Sequence, residues 1–192
     1  IAGALTQNNA EILAGVVIPQ AVNEGAPLIY GSMPTVFDMK TTVGSYGAPE
    51  FHLSVAAASE LADYYQLPFF GTAGCSDAKT VDPQSVSEIQ MELFSTILSK
   101  ANIVHDIGVL DHCNSVAPAM VVLANEMINQ LSAYSKGVEV NDETLAMDVI
   151  KQVGHGGHYL NEMHTLSNFR SVWYPEFYDR KMVNPDESEI MS

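Results

Sequence analysis

Apolar residues in this chain fall alternately into short runs and into stripes three or four residues apart, the pattern of strands followed by helices. The run at residues 1–5, Ile-Ala-Gly-Ala-Leu, reads as a buried strand ending at Thr6-Gln7. Asn8 stands three residues before Glu11 as in a capping box, and Ile12, Leu13, Val16 and Val17 form a helical stripe that Pro19 should kink and Gly25 should stop. Residues 27–30 are a second strand, opening into a long Gly- and Thr-rich connection over 31–48. A connection of that length at a strand end is a mark of function. Pro49-Glu50 starts a helix with Phe51, Val55, Ala58 and Ala62 on one face. Asp82-Pro83 starts another, with Val86, Ile89, Leu93 and Ile97 as its stripe. A strand at 101–107, a helix over 116–134 and one more helix capped by Asn141-Asp142, with Leu145, Val149 and Val153 inward, complete the series.

The stretch at 67–79, Leu-Pro-Phe-Phe-Gly-Thr-Ala-Gly-Cys-Ser-Asp-Ala-Lys, is the centre of this plan. An apolar run breaks there into a small-residue loop carrying Cys75, Ser76, Asp77 and Lys79. Loops after the C-terminal ends of parallel strands are where α/β folds keep their chemistry. Strand–helix units in series imply right-handed parallel crossovers, hence a doubly wound sheet or a barrel. The pattern supplies about four units, and a closed (β/α)8 barrel has eight, so as a barrel this is about half of one. Beyond Val153 the helical pattern stops: Gly154-His155-Gly156-Gly157-His158-Tyr159 is too glycine-rich for helix, and an aromatic segment with Trp173, Tyr174, Phe177 and Tyr178 is expected over the barrel rim. Residues 1–180 form the folded part, and 181–192 a polar, acidic, loosely held tail.

Charge narrows the partners. Eight Lys and Arg against 23 Asp and Glu give a net charge of −15 over 192 residues, a field that repels a phosphate backbone, so nucleic acid is excluded as a partner. The same field suits a cationic substrate, although an acidic surface also simply confers solubility. No apolar run is long enough to span a membrane, and the two cysteines, Cys75 and Cys113, make no disulfide framework, which points to the cytoplasm. The chain opens on Ile1 without an initiator Met, as a processed or excised piece would.

His105, His112, His155, His158 and His164, with Cys75 and Cys113, include the ligand types zinc prefers, but no spacing among them matches a standard site. Gly71-Thr72-Ala73-Gly74 lacks the Lys-Ser/Thr ending of a phosphate-binding loop, and no Gly-x-Ser-x-Gly elbow is present. Tyr30, Tyr46, Tyr159, Trp173 and Tyr174 are candidates to box a quaternary ammonium group by cation–π contact. Asp38, Asp77, Asp106 and Asp111, near strand ends, are candidates to balance its charge. From the residues alone the reading stops at an α/β enzyme of undetermined reaction.

Residues 1–11, Ile-Ala-Gly-Ala-Leu-Thr-Gln-Asn-Asn-Ala-Glu, together with Ile29-Tyr30-Gly31-Ser32, Tyr46-Gly47-Ala48-Pro49-Glu50, the loop at 71–79, and residues 153–160 followed by His164-Thr165-Leu166, resemble the trimethylamine:corrinoid methyltransferase family, in the same order and with comparable spacing up to about Arg180. The resemblance implies the C-terminal part of a TIM barrel. It implies transfer of a methyl group from a tertiary or quaternary amine, trimethylamine or glycine betaine, to the Co(I) of a corrinoid, as in methanogenesis or methylamine metabolism. The corrinoid is presented by a cognate partner protein, and no cofactor is bound tightly and no metal is held by the chain itself. By position it points to Tyr30, Ser32, Thr72, Asp77, His105, His158 and Tyr159 as substrate-binding wall residues, and leaves the catalytic residues unknown. The trimethylamine branch carries pyrrolysine, and the printed sequence has none. Either the chain belongs to a branch without it, which favours glycine betaine or another quaternary amine, or that residue lies outside the chain. The rival readings are a zinc-dependent corrinoid methyltransferase and a catalytically silent half-barrel, whose unpaired edges would lead to a homo-oligomer or a second chain.

Overall fold

The computed structural model describes residues 1–182, so the tail expected at 181–192 lies, from 183 on, outside the described residues. The chain forms two compact units, Ile1–Ser135 and Lys136–Ser192.

The first unit opens with helix α1, Ala2–Val22, where the sequence pattern had suggested a strand at 1–5. Leu5, Asn8, Asn9, Ile12, Leu13 and Val16 are half-buried, with a spacing of three and four that places them on one helical face. That face mixes amides with aliphatics because Asn8 and Asn9 have partners. Asn8 Nδ2 donates to Ser32 Oγ at 2.8 Å, and Asn9 Nδ2 donates to the Tyr65 hydroxyl at 2.9 Å. The amides dilute the hydrophobic stripe, so the first five residues look like an isolated apolar run, which periodicity alone cannot assign. Asn8 is therefore a mid-helix residue and not a cap, and the helix runs through Pro19.

Strand β1, Tyr30–Gly31, follows, and then a short antiparallel hairpin of β2, Val36–Asp38, and β3, Val43–Ser45, inside the long connection. Helix α2, Pro49–Tyr64, starts on its proline. Strand β4, Phe69–Thr72, leads into helix α3, Pro83–Leu98, whose Asp82 side chain accepts from Ser85 N in a reciprocal capping box. Strand β5, Ile103–His105, is followed by a second hairpin, β6, Val109–Leu110, and β7, Ser115–Val116, and by helix α4, Pro118–Ser135.

Strands β1, β4 and β5 form a parallel sheet in that order, with Tyr30 opposite Phe69, Gly31 opposite Phe70, Phe70 opposite Ile103 and Thr72 opposite His105. The sheet thus has three parallel strands where the pattern suggested four, because residues 1–5 are helical. Alternation along the strands sorts the side chains by face. Tyr30 and Phe69 point to the helices and join Phe51, Val55, Ala58 and Ala62 of α2 in one buried cluster. Ile89 and Leu93 of α3 join Met120, Ala124, Met127 and Leu131 of α4 and Leu110 in a second, with Val104 of β5 packed against it. Phe70 and Ile103, on the opposite face, keep 37% and 45% of their surface exposed.

In the second unit, the helix expected after Asn141 is broken in two. Helix α5, Asp142–Leu145, has its Asn141 capping box, but Ala146 turns left-handed at φ 47° and helix α6, Met147–Val153, starts afresh. Nothing in the sequence signals that break. Residues 154–159 are non-helical as expected, and helix α7, Met163–Asn168, runs into a 3-10 turn, Phe169–Ser171. Leu145, Val149 and Val153 bury no side chain fully, and Arg180 lies over the rings of Trp173 and Tyr174 at 5.1 and 5.3 Å.

Candidate functional site

The polar groups of the first unit gather beyond the C-terminal ends of β4 and β5. Thr72 and His105, paired in register, face the same side as Phe70. Thr72 Oγ1 lies 2.9 Å from His105 Nε2, and His105 Nδ1 lies 3.0 Å from Asp106 Oδ2. A carboxylate only accepts, so Nδ1 carries a proton, and in the neutral ring Nε2 accepts from the Thr72 hydroxyl. The His105 ring also stacks on Phe70, centroids 4.7 Å apart and planes 29° apart, which fixes its orientation from a third side. Asp106 reaches its position with a left-handed φ of 74°.

The loop after β4 is held from beneath. Gly74 N and Cys75 N donate to Glu92 Oε2 at 2.6 and 2.8 Å, and Cys75 Sγ donates to Glu92 Oε1 at 3.3 Å. Ser76 Oγ and Asp77 N donate to Glu88 Oε2 at 2.5 and 3.0 Å. Burial pushes the Glu92 carboxyl up to about 8, against the pull of its hydrogen bonds from Cys75 and Gly74. Burial, and then Glu92 itself, push the Cys75 thiol up, so it stays protonated and donates. Gly74 has φ +89°, and a Cβ there would stand 2.6 Å from Ile107 Cδ1. The turn therefore requires glycine on both counts.

Asp77 ties this loop to the hairpin. Its carboxylate accepts from Ser45 Oγ at 2.5 Å, Tyr46 N at 2.8 Å and Gly47 N at 3.2 Å, and His112 Nδ1 is 3.2 Å away. The same His112 nitrogen is 3.0 Å from Gly44 O, so it carries a proton shared between two acceptors. Asp111, His112 and Cys113 have consecutive left-handed φ values of 50°, 53° and 71°. Such residues are disfavoured by roughly 1–2 kcal/mol each, and two side-chain ties hold the turn: Lys79 pairs with Asp111 at 3.5 Å, and Tyr46 Oη is 3.0 Å from Cys113 Sγ. Burial, and then the bond to Cys113, push the Tyr46 hydroxyl up. A cavity of about 340 Å³ lies against this knot, lined by Asp38, Thr41, Ser45, Asp77 and His112 among others. In it Asp38 is held below the usual carboxylate range by Lys40 N and the Thr41 hydroxyl.

A larger cavity, about 1060 Å³, opens at the other end of the sheet beside Asp63, Gln66, Leu67, Lys100 and Asn102. These residues precede β4 and β5, and their polar groups close the backbone, as where Asn102 Oδ1 accepts from Phe69 N at 2.7 Å. The C-terminal ends of the strands are the chemically equipped side.

The seven residues singled out from the sequence divide accordingly. Thr72 and His105 are brought together. Ser32 ends the neighbouring strand, and its N–H donates to Phe70 O at 3.3 Å while its hydroxyl is taken by Asn8. Asp77 is engaged by four donors of the protein. Tyr30 is a core residue on the helix-covered face, wholly buried, its hydroxyl donating to Asn9 Oδ1 at 3.1 Å. Burial and then the neighbouring Tyr65 push that hydroxyl up. His158 and Tyr159 belong to the second unit, where both are exposed. Glu88 and Glu92 were not singled out. Their signal was a pair of acids four apart, each directly before a stripe residue, Ile89 or Leu93, with no Lys or Arg a turn away. Among the described residues, no group of three or more His, Cys, Asp or Glu stands so as to hold a metal ion, and no helix is long and apolar enough to cross a membrane.

Comparison with known proteins gives this geometry its context. The family model described as trimethylamine methyltransferase (MTTB) matches residues 1–187. Trimethylamine methyltransferase MttB of Desulfitobacterium hafniense strain DCB-2 is 36% identical over 182 residues, covering 95% of this chain and 37% of that protein. Glycine betaine methyltransferase of D. hafniense strain Y51 is 37% identical over 182 residues, covering 94% of this chain and 38% of its own length. The trimethylamine methyltransferase MttB of Methanosarcina barkeri strain Fusaro is 35% identical over 182 residues, with 95% and 37% covered. The chain thus spans little more than a third of the length of these curated relatives. With a match along nearly its whole length, the chain belongs to the trimethylamine methyltransferase (MTTB) family.

Proposed function

We propose that the gene product containing this chain moves a methyl group from a tertiary or quaternary amine to the cobalt of a corrinoid carried by a partner protein, and that the chain supplies part of a TIM barrel whose mouth holds Thr72, His105 and Asp106. The observation that carries the reading is the convergence of these three groups at the C-terminal ends of adjacent parallel strands, in a chain of this family. Strand order fits the barrel: β1, β4 and β5 neighbour one another in chain order, as successive barrel strands do. The uncovered face supports it too. Gly31, Phe70 and Ile103, with Thr72 and His105 two residues on, share one face of the sheet, as the inward-pointing residues of barrel strands would.

A bound corrinoid would supply a reduced cobalt centre that accepts the methyl group while the electron pair of the broken C–N bond stays with nitrogen. The strand-end residues fit a group presented by another protein, since the side chains of His105 and Asp106 are 35% and 26% exposed and reach the surface from which it would approach. The chain's task is then to hold the amine with one methyl group open to that side. A nitrogen bearing positive charge leaves more readily, and the Asp106 carboxylate and the net charge of −15 both favour it. Phe70, more than a third exposed, offers an apolar wall to the remaining methyl groups. The free cysteines Cys75 and Cys113 are consistent with work in the cytoplasm.

The test is methyl transfer from trimethylamine and, separately, from glycine betaine to Co(I) cobalamin, followed in the visible spectrum with the full gene product. Transfer from either amine supports the reading, and the amine used identifies the branch. A protein that transfers from neither, with cobalamin kept reduced, overturns it.

A further inference from the structure

We propose that Glu92 and Glu88, one turn apart on α3, are the positioning residues of the candidate site, setting the shape of the loop after β4 and, through Asp77, the entry to α2. The two carboxylates divide the loop between them. Glu92 takes Gly74 and Cys75 through two backbone N–H groups and a thiol. Glu88 takes Ser76 and Asp77 through a hydroxyl and a backbone N–H, while Gln84 Nε2 donates to its second oxygen at 2.8 Å. Four successive residues are thus fixed by side chains of the helix that follows them.

Several features mark this as more than incidental packing. Glu92 is 1% exposed and has no basic partner among its hydrogen bonds, so its burial is offset only by the loop it holds. The restraint is also passed onward. Asp77, with its backbone fixed by Glu88, collects Ser45 Oγ, Tyr46 N and Gly47 N, and Glu88 itself closes on Gly47, where a Cβ would stand 2.4 Å from Glu88 Cδ. Gly47 must therefore lack a side chain for the contact to form. The loop's upstream end is Ala73, directly after Thr72, and Gly108 N donates to Gly74 O at 2.8 Å two residues beyond Asp106. A shift at Gly74 consequently reaches both strands that carry the Thr72–His105–Asp106 group.

The kinetic arm of the test rests on the proposed methyl transfer, and the structural arm does not. In the full gene product, E92A and E88A are compared with E92Q and E88Q, whose amide oxygens can still accept. Amide hydrogen exchange is read at residues 74–77 and 45–47, and kcat and KM for the amine are read over a pH series. E92A is expected to lose protection at Gly74 and Cys75, and E88A at Asp77 with Tyr46 and Gly47. Each should lower kcat about 10- to 100-fold, with a smaller change in KM. E92Q and E88Q should restore protection and return kcat to within about threefold of the wild type. Unchanged protection and unchanged kcat in the alanine variants overturn the proposal, as does a failure of both glutamine variants to restore either. If the wild type transfers no methyl group, the functional reading fails by itself, and the exchange data still decide the positioning role. If E92A does not fold, E88A and the two glutamine variants carry the same decision.

Discussion

On the helix side of the three-stranded sheet Tyr30 and Phe69 are 0% and 1% exposed, whereas on the other side Phe70 and Ile103, from the same two ladders, keep 37% and 45%. The covered face is built of complementary apolar volume. The open face carries an apolar layer and, above it at the strand ends, the paired side chains of Thr72 and His105. Parallel sheets are ordinarily buried on both faces, so the difference separates a finished core from a surface shaped for something further. The covered face should govern whether this chain folds, and the open one what it does.

The largest effect is therefore expected on the covered face. Phe69→Ala removes a ring that packs against Tyr30 at 6.3 Å between centroids and lies within the cluster with Phe51, Val55 and Ala58. It should cost about 3–5 kcal/mol, read as a fall in the denaturant midpoint with unchanged slope. A loss below about 1 kcal/mol would mean that the cluster is not close-packed.

An intermediate effect should come from the carboxyl buried beneath the loop. The folded Glu92 carboxyl titrates at about 8 against an ordinary 4.5. A raised carboxyl binds its proton more tightly in the folded state, so its contribution is complete below the ordinary value and is lost as pH rises through about 8. The neighbouring Asp106 charge pushes the same way, while the bonds from Cys75 and Gly74 oppose it. Stability measured between those two values should slope downward by up to about 1.4 kcal/mol per pH unit. Glu92→Gln should flatten that slope. A slope equal in both proteins would assign it to another group.

The covered face was the more legible in the sequence. Helical stripes over α2 and α3, the starts at Pro49 and Asp82-Pro83, and a helix over 116–134 follow from local rules of spacing and capping, and the structure has helices there. The first helix was misread because Asn8 and Asn9 interrupt its buried face with polar groups whose partners, Ser32 and Tyr65, lie distant in sequence. Neither hairpin leaves a sequence pattern, because their strands are only two or three residues long. Thr72 and His105 could be anticipated as strand-end residues, but their pairing depends on the register of β4 against β5, which no local pattern states. Tyr30 could equally be placed near a strand end, yet alternation turned it to the helices. Glu92 carries no such signal, because a carboxylate beside an apolar stripe looks solvated until the loop it holds is known.

The smallest effect in this chain, and the sharpest test of the comparison, is expected at Phe70. The residue is more than a third exposed, and its ring stacks on that of His105. Truncation to Ala should cost this chain less than about 1 kcal/mol, since little apolar area returns to water and no cavity opens. In the full gene product the prediction changes. If the open face becomes a layer of a barrel interior, Phe70 is surrounded there, and the same substitution should cost about 3–5 kcal/mol, the range expected for Phe69. Denaturant unfolding of both variants in both lengths of chain gives four numbers. Equal costs for Phe69→Ala in the two lengths with unequal costs for Phe70→Ala would place the additional polypeptide on the open face. A Phe70→Ala cost that stays small in both would leave that face uncovered in the whole protein, and with it the barrel reading would fail.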